Sequence, residues 1–164
     1  MSKDLSKEVL YDLHKKLYNK NEEYTTLFDS IVVEHNSTKP IKGICVDGGT
    51  EGNPGPCFYR GVDIETNKIL FEKHLGEGTN NIAEFLAIVH AIHYCEKNNI
   101  EVNIWSDSKT AITWVKNKKV NTSVNGPITE RLIKACEYIK NKDILIHKWE
   151  TKRWGEIPAD FGRK

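Results

Sequence analysis

The stretch that decides the fold of this chain is ICVDGGTEGNPGP, at residues 44–56. Its first three residues are apolar and predict a buried strand, which we expect to end at Asp47, followed by Gly48 and Gly49. Because glycine has no Cβ, another backbone or a phosphate group can approach these two positions closely. The rest of the stretch turns the chain and offers the amide side chain of Asn53. Taken alone, Asp-Gly is also a common turn signal, so a simple β-hairpin is the alternative interpretation.

The composition is that of a chain of ordinary size without a strong charge bias. Its 164 residues are 38% hydrophobic, which suits one domain with a short extension. The net charge of +1 means that any nucleic-acid surface is expected to be a local basic patch. No apolar run is long enough to span a membrane, and the N-terminus resembles neither a signal peptide nor a mitochondrial presequence. We therefore expect a cytoplasmic protein.

The four cysteines are widely spaced and form no Cys-x-x-Cys pair. This spacing favours buried free thiols in a reducing compartment over disulfides or a zinc site. They are Cys45, Cys57, Cys95 and Cys136.

Residues 1–40 are predicted to be an N-terminal extension. Within residues 2–20, Leu5, Val9, Leu13 and Leu17 recur every fourth residue, which indicates an amphipathic helix. This helix is expected to pack on the rest of the chain or to mediate contact with a partner, including self-association. A polar connector leads from it to Pro40. Residues 41–164 are predicted to form the compact domain.

The compact domain has the pattern of a mixed α/β sheet flanked by helices. Strands at 41–47, 58–65 and 68–75 are joined by short connections, which makes them antiparallel neighbours. Glycines at 76 and 78 are expected to end the third strand, and a long helix is predicted over 81–97. The fourth strand, at 102–105, is reached through that helix and should lie parallel to the first. Helices at 109–117 and from 127 onward, and a fifth strand at 144–149, complete a five-stranded sheet. The helix from 127 is predicted to bury one face, formed by Ile128, Leu132, Ile133, Cys136 and Ile139.

Four carboxylates fall where they can meet at one edge of this sheet. Asp47 ends the first strand, Asp107 follows the fourth, Glu84 lies in the predicted first turn of the long helix, and Asp160 comes after the fifth strand. Open α/β sheets bind ligands at this edge. Carboxylates that converge repel one another unless a cation neutralises them, and oxygen-only ligands suit Mg²⁺ or Mn²⁺.

Each carboxylate also has a structural alternative. Glu84 fits a capping box with Asn81, and either Asp107 or Ser106 fits the N-cap of the next helix. Asp160 fits a solvated charge in the tail.

Four blocks of sequence, in this order and spacing, resemble type 1 ribonuclease H. They are VDGGTEGNPGP at 46–56, TNNIAE at 79–84, SDS at 106–108 and PADFGR at 158–163, and the resemblance covers about 41–163. It implies an RNase H-like catalytic domain at 41–164 that hydrolyses the RNA strand of an RNA/DNA hybrid. It also implies two Mg²⁺ ions held by Asp47, Glu84, Asp107 and Asp160, and products with 5′-phosphate and 3′-hydroxyl ends. The alternatives are a catalytically inactive hybrid-binding module and a transposase-like or integrase-like nuclease of the same fold.

The resemblance also extends to residues that would contact the hybrid. The positions it implies lie beside the carboxylates or on the following helix: Gly48, Gly49, Asn53, Thr79, Asn80, Asn81, Ser108, Trp114 and Lys116. Asparagines are expected to read the 2′-hydroxyls of the RNA strand in the minor groove. Helix capping is the alternative for Asn80 and Asn81, and a core tryptophan is the alternative for Trp114.

The chain departs from the family pattern in two places. Where many relatives carry a long basic protrusion, only Lys116, Lys118 and Lys119 stand here, so hybrid binding should be sensitive to salt. Where relatives often carry a mobile histidine, Glu150 falls in the corresponding loop and is the candidate to assist proton transfer or product release. The alternative is that Glu150 pairs with a neighbouring lysine, and His147 is expected to be structural.

Overall fold

The computed structural model describes residues 38–161. The chain divides into two units, Met1–Lys39 and Pro40–Lys164. The helix predicted at 2–20, its connector and its self-association lie outside the described residues and stay predictions.

Five strands and four helices follow one another in the described part. The strands are β1 (Ile44–Thr50), β2 (Gly55–Asp63), β3 (Ile69–Gly78), β4 (Ile104–Ser106) and β5 (His147–Lys148). The helices are α1 (Asn80–Lys97), between β3 and β4, then α2 (Lys109–Asn117) and α3 (Ile128–Ile139), between β4 and β5, and α4 (Thr151–Trp154), after β5.

The strands form one mixed sheet in the order β3-β2-β1-β4-β5. β1 pairs antiparallel with β2, and β2 pairs antiparallel with β3. β4 lies parallel to β1, and β5 lies parallel to β4. The predicted fold class, with three antiparallel and two parallel strands, is therefore confirmed.

β1 continues past the point where its end was predicted. Its antiparallel ladder with β2 runs on through Asp47↔Arg60 to Thr50↔Cys57. Its parallel ladder with β4, in contrast, stops at Val46↔Ser106. The prediction that the strand ends at Asp47 was wrong because the partner strand β2 holds the two glycines in the ladder. Asp47 instead lies at the end of the parallel part of the sheet, next to the C-terminal end of β4.

The other strand boundaries also differ from the predictions. β3 was expected to stop before Gly76 but reaches Gly78, which pairs with Gly55 on β2. Pairing with a neighbour overrides the low strand propensity of glycine. β4 and β5 are short, and β5 has two residues where six were predicted, because pairing between them covers only Trp105↔His147 and Ser106↔Lys148.

The helices pack on the sheet as their apolar patterns indicate, with one exception. α1 buries nine residues, and α2 has the predicted bounds. On α3, Ala135 is buried while Ile133 is 56% exposed, so placing Ile133 on the buried face was wrong. The inward face of α3 is narrower than the sequence pattern suggested.

A second, smaller core is separate from the main cluster of buried residues. It comprises Cys45, Val62, Trp149, Ile157 and Ala159, all buried. It packs the segment after β5 against β1 and β2, and this segment leads to Asp160.

All four cysteines are free; Cys45 and Cys57 are buried, as predicted, whereas Cys95 and Cys136 are only partly buried. Burial raises the pKa of the Cys45 thiol to about 12, which keeps it protonated and unreactive. No helix within residues 38–161 is both long and apolar enough to cross a membrane.

Candidate active site

Asp47 is the buried centre of the candidate site. Its side chain is 1% exposed, and it follows the last residue of β1 that pairs with β4. The C-terminal ends of β1 and β4 are thus adjacent, and Asp107 comes one residue after β4. The parallel pairing brings these two carboxylates to the same edge of the sheet.

Glu84 reaches the same edge from α1. The sequence predicted Glu84 in the first turn of this helix, which was wrong, because the helix starts at Asn80 with Thr79 as its N-cap and Glu84 lies just beyond that turn. Its Oε1 accepts a hydrogen bond of 2.9 Å from the backbone N–H of Gly48. The capping-box alternative is therefore wrong, because Thr79 caps the helix by accepting from Ile82 N–H at 3.2 Å.

Gly48 makes this approach of helix and strand possible. A Cβ at that position would lie 2.7 Å from the backbone carbon of Ala83. Only a residue without a side chain allows α1 to pack so closely on β1. The packing also sets the short distance between Glu84 and the strand.

Asp107 is not the cap of α2, and neither is Ser106. The N-cap is Ser108, whose Oγ accepts from the backbone N–H of Ala111 at 3.1 Å. Ser106 instead uses its Oγ to accept from the N–H of Ser108. The capping alternatives proposed for these two residues are therefore wrong.

Three of the four predicted carboxylates come together. One oxygen from each of Asp47, Glu84 and Asp107 lies within 4.8 Å of the others. Like charges at this separation destabilise one another, and a bound cation would remove the repulsion. An all-oxygen donor set matches Mg²⁺ or Mn²⁺ rather than zinc, so these residues fit the implied ions.

Asp160 lies outside that group of three but close to the same cleft. Its backbone N–H donates to the carbonyl oxygen of Ile157 at 2.9 Å, which forms a turn. The next residue, Phe161, lines a cleft of about 330 Å³ together with Asp47 and Glu84. The remaining lining residues are Gly48, Gly49, Thr50, Phe58 and Asn80.

The asparagines beside the cleft are tied into a small hydrogen-bond network. Oδ1 of Asn53 accepts from the backbone N–H of Asn80 at 3.1 Å. Oδ1 of Asn80 accepts from Oγ1 of Thr50, also at 3.1 Å. Asn81 is exposed in the first turn of α1. Helix capping, the alternative role for Asn80 and Asn81, is therefore wrong, because the N-cap of α1 is Thr79.

The side chains of Trp114 and Lys118 make contacts within the protein. Trp114 is 9% exposed, and its ring packs edge-on against Phe85, with 6.1 Å between the centroids. The core alternative therefore describes Trp114, because so little of its ring is accessible to a nucleic acid. Nζ of Lys118 donates to the carbonyl oxygens of Lys140 and Lys142, whereas Lys116 is exposed in the last turn of α2.

Glu150 is exposed and precedes α4, a short helix that the sequence did not predict. The N–H groups of Arg153 and Trp154 donate to the backbone oxygen of Glu150, each at 2.9 Å. Its proposed part in turnover stays a prediction. His147 lies on β5 with its ring against Trp105, 4.7 Å between centroids, which agrees with a structural role.

Sequence reasoning missed Arg60. Its side chain donates from Nε to the carbonyl oxygen of Ala159 at 2.8 Å and from Nη2 to that of Asp160. These contacts join residues about one hundred positions apart, and no periodicity or motif signals them. The antiparallel register of β1 and β2, which the structure decides, places Arg60 opposite Asp47.

Comparison with known proteins identifies similar chains. The family model for RNase H matches residues 41–154, and so stops short of Asp160. A Ribonuclease H of Neorickettsia sennetsu (strain ATCC VR-367 / Miyayama) is 32% identical over 134 residues, which cover 73% of this chain and 81% of that protein. A Ribonuclease H of Ruthia magnifica subsp. Calyptogena magnifica is 34% identical over 84 residues, 46% of this chain and 56% of that protein. Among solved structures, LC11-RNase H1 in complex with an RNA/DNA hybrid is similar at 25% identity and a TM-score of 0.45, covering 67% of this chain and 86% of that one.

Proposed function

This chain belongs to the RNase H family, and from that premise we propose that it is a metal-dependent endonuclease that hydrolyses the RNA strand of RNA/DNA hybrids. The observation that carries the proposal is the meeting of Asp47, Glu84 and Asp107 within 4.8 Å at one edge of the sheet. The products are proposed to be a 5′-phosphate and a 3′-hydroxyl. The three carboxylates and the adjoining cleft support hydrolysis over the alternative of a module that only binds the hybrid.

Two divalent cations, Mg²⁺ or in its place Mn²⁺, would be held by Asp47, Glu84 and Asp107, with Asp160 as the fourth ligand. When bound, the two ions would lower the pKa of the attacking water and stabilise the leaving 3′-oxygen. The protein's own contribution is orientation. Asp47 is held in the sheet with its side chain 1% exposed, and Glu84 is aimed by the N–H of Gly48. Ligands fixed in this way do not have to reorganise when an ion binds.

Recognition of the hybrid is proposed to rest on the polar residues around the cleft. Asn53 and Asn80 use their side-chain oxygens in the contacts described above, so their NH₂ groups are the ends proposed to meet 2′-hydroxyls or phosphates. Asn81, Thr79 and Ser108 stand at the starts of α1 and α2, where backbone N–H groups favour phosphate. Gly48 and Gly49 line the cleft and leave room for the RNA backbone.

The basic contribution to binding is proposed to be small. Lys116 and Lys119 are exposed, while Lys118 is engaged with carbonyl groups of its own chain. Binding that depends on so few phosphate contacts should weaken steadily as salt rises. The free thiols agree with the proposed cytoplasmic location.

The test is cleavage of end-labelled duplexes of one sequence as RNA/DNA hybrid, DNA duplex and double-stranded RNA. With Mg²⁺ we expect cutting of the RNA strand of the hybrid only, and no cutting when a chelator replaces the metal. Comparable cutting of the DNA duplex would contradict the proposed recognition of 2′-hydroxyls. Binding of the hybrid without cutting under every metal condition would favour the binding module.

A further inference from the structure

Arg60 forms hydrogen bonds to the segment that carries Asp160. It lies on β2, directly opposite Asp47 in the antiparallel ladder. Its Nε donates to the carbonyl oxygen of Ala159 at 2.8 Å, and its Nη2 donates to the carbonyl oxygen of Asp160. These carbonyls belong to the two peptide units that flank the Cα of Asp160. Restraining both units fixes the direction of the bond from Cα to the Asp160 side chain.

The same guanidinium also contacts the residue after Asp160. It lies 4.4 Å from the centroid of the Phe161 ring, a cation–π geometry. Phe161 in turn packs edge-on against Phe58 on β2, with 4.7 Å between the ring centroids. Arg60 therefore contacts three consecutive residues, 159 to 161, from one strand position.

Apolar packing alone does not account for the placement of Asp160. Ile157 and Ala159 are buried in the smaller core, with 1% and 0% of their surfaces exposed. That packing anchors the chain up to residue 159, and Phe161 packs on Phe58 one residue after Asp160, so the apolar contacts lie on either side of Asp160. The hydrogen bonds from Arg60 begin at residue 159 and continue the anchoring across Asp160.

We propose that Arg60 is a positioning residue that holds the Asp160 carboxylate toward Asp47, Glu84 and Asp107, so that it serves as the fourth metal ligand. This inference rests on the proposed function, in which Asp160 binds metal. The planar fork of arginine is required because its two N–H groups serve two carbonyls at once. A lysine at position 60 would keep the charge but lose that fixed geometry.

Whether loss of Arg60 weakens or tightens metal binding distinguishes a positioning role from a purely electrostatic one. A positive side chain beside a cation site repels the cation, so deleting that charge by itself should tighten Mg²⁺ binding. Loss of a positioning contact should weaken it instead, by about tenfold or more, as for other residues that orient metal ligands. The two roles of Arg60 therefore predict opposite shifts.

The experiment compares Arg60→Met, Arg60→Lys and a control, Lys73→Met, which removes an exposed cation from the neighbouring strand β3. Mg²⁺ and Mn²⁺ affinities are measured by calorimetry, and the Mg²⁺ concentration for half-maximal cleavage and KM for the hybrid are measured in parallel. For Arg60→Met we expect both metal measures to weaken about tenfold or more, with KM changed less than about twofold. Arg60→Lys should fall between Arg60→Met and wild type, and the control should match wild type.

A double-mutant cycle shows whether the effect passes through Asp160. Arg60→Met added to Asp160→Asn should weaken calorimetric metal binding no further than Asp160→Asn alone. Additive losses, or metal affinity that is unchanged or tighter in Arg60→Met, would overturn the proposal. If Arg60→Met does not fold, as judged by circular dichroism, the metal affinity of Arg60→Lys decides in the same way. Failure of the wild-type chain to cut the hybrid would refute the proposed function, whereas wild-type cleavage with an unchanged metal requirement in the variants would refute Arg60 alone.

Discussion

Replacing Asp47 by asparagine tests the carboxylate cluster most directly, because one change should abolish catalysis and stabilise the fold. Asparagine keeps the shape of the side chain and removes its charge. Asp47 is 1% exposed, and oxygens of Glu84 and Asp107 lie within 4.8 Å. With an effective dielectric constant of about 20, two unit charges at 4.8 Å repel by roughly 3.5 kcal/mol.

The expected gain is smaller than that repulsion. Glu84 is already stabilised by the N–H of Gly48, and the guanidinium of Arg60 lies on the neighbouring strand. Glu84 and Asp107 are only partly buried, so solvent screens more of the repulsion in the wild-type protein. We therefore expect Asp47→Asn to raise the free energy of unfolding by about 2 kcal/mol in metal-free buffer and Tm by roughly 5–10 °C.

The assay is a pair of thermal melts, with a chelator and with saturating Mg²⁺, together with cleavage and binding of a labelled hybrid. Mg²⁺ should raise the Tm of the wild-type protein more than that of Asp47→Asn, because the variant has lost a ligand. Cleavage should be abolished while hybrid binding stays measurable. The matched control is Asp143→Asn, an exposed aspartate outside the site. Near wild-type cleavage by Asp47→Asn would refute the site, and a lower Tm in chelator would refute the electrostatic argument.

Three further predictions follow from individual contacts. Gly48→Ala places a methyl group 2.7 Å from the α1 backbone, so it should lower the free energy of unfolding by about 1–3 kcal/mol and reduce cleavage. Gly76→Ala is the control, because a methyl group there meets no atom within 4 Å, and it should lower Tm far less in the same melts. Burial lowers the pKa of His90 from 6.5 to about 4, so the unfolded chain binds the proton more readily and stability should fall as pH drops from 6.5 toward 4. Melts of His90→Gln over that range should have a shallower slope, and an equal slope would contradict the assignment. Trp114→Leu should lower Tm because the ring packs on Phe85, while KM for the hybrid should stay within about twofold of the wild-type value. A large rise in KM at unchanged Tm would instead show that Trp114 binds the substrate.

The sequence by itself determined the order of the elements and the identity of the chemical groups. Apolar periodicity located α1, and the bounds of α2 matched their prediction, because these signals depend on neighbours within one or two turns. The short connections and the crossover through α1 were enough to infer which strands are antiparallel and which parallel. The motifs around Asp47, Glu84 and Asp107 identified the carboxylates for the same reason, since each is a local pattern.

Only the tertiary structure decided how far the strands extend and which side chains meet. β1 continues through Gly48 and Gly49 because β2 pairs with it, and β5 keeps two residues because its pairing with β4 covers no more. Trp114 is buried against Phe85 of α1, and this contact decides between the two interpretations that the sequence left open for it.

The contacts that shape the site are also long-range ones. The N–H of Gly48 meets Glu84 across 36 residues, and Arg60 meets the carbonyls of Ala159 and Asp160 across 99 and 100 residues. Their geometry depends on strand register and on the packing of helix against sheet, which are set by the whole domain at once. Local sequence therefore specified which carboxylates were available, and the packing of distant segments decided that three of them meet and that Arg60 holds the backbone of the fourth.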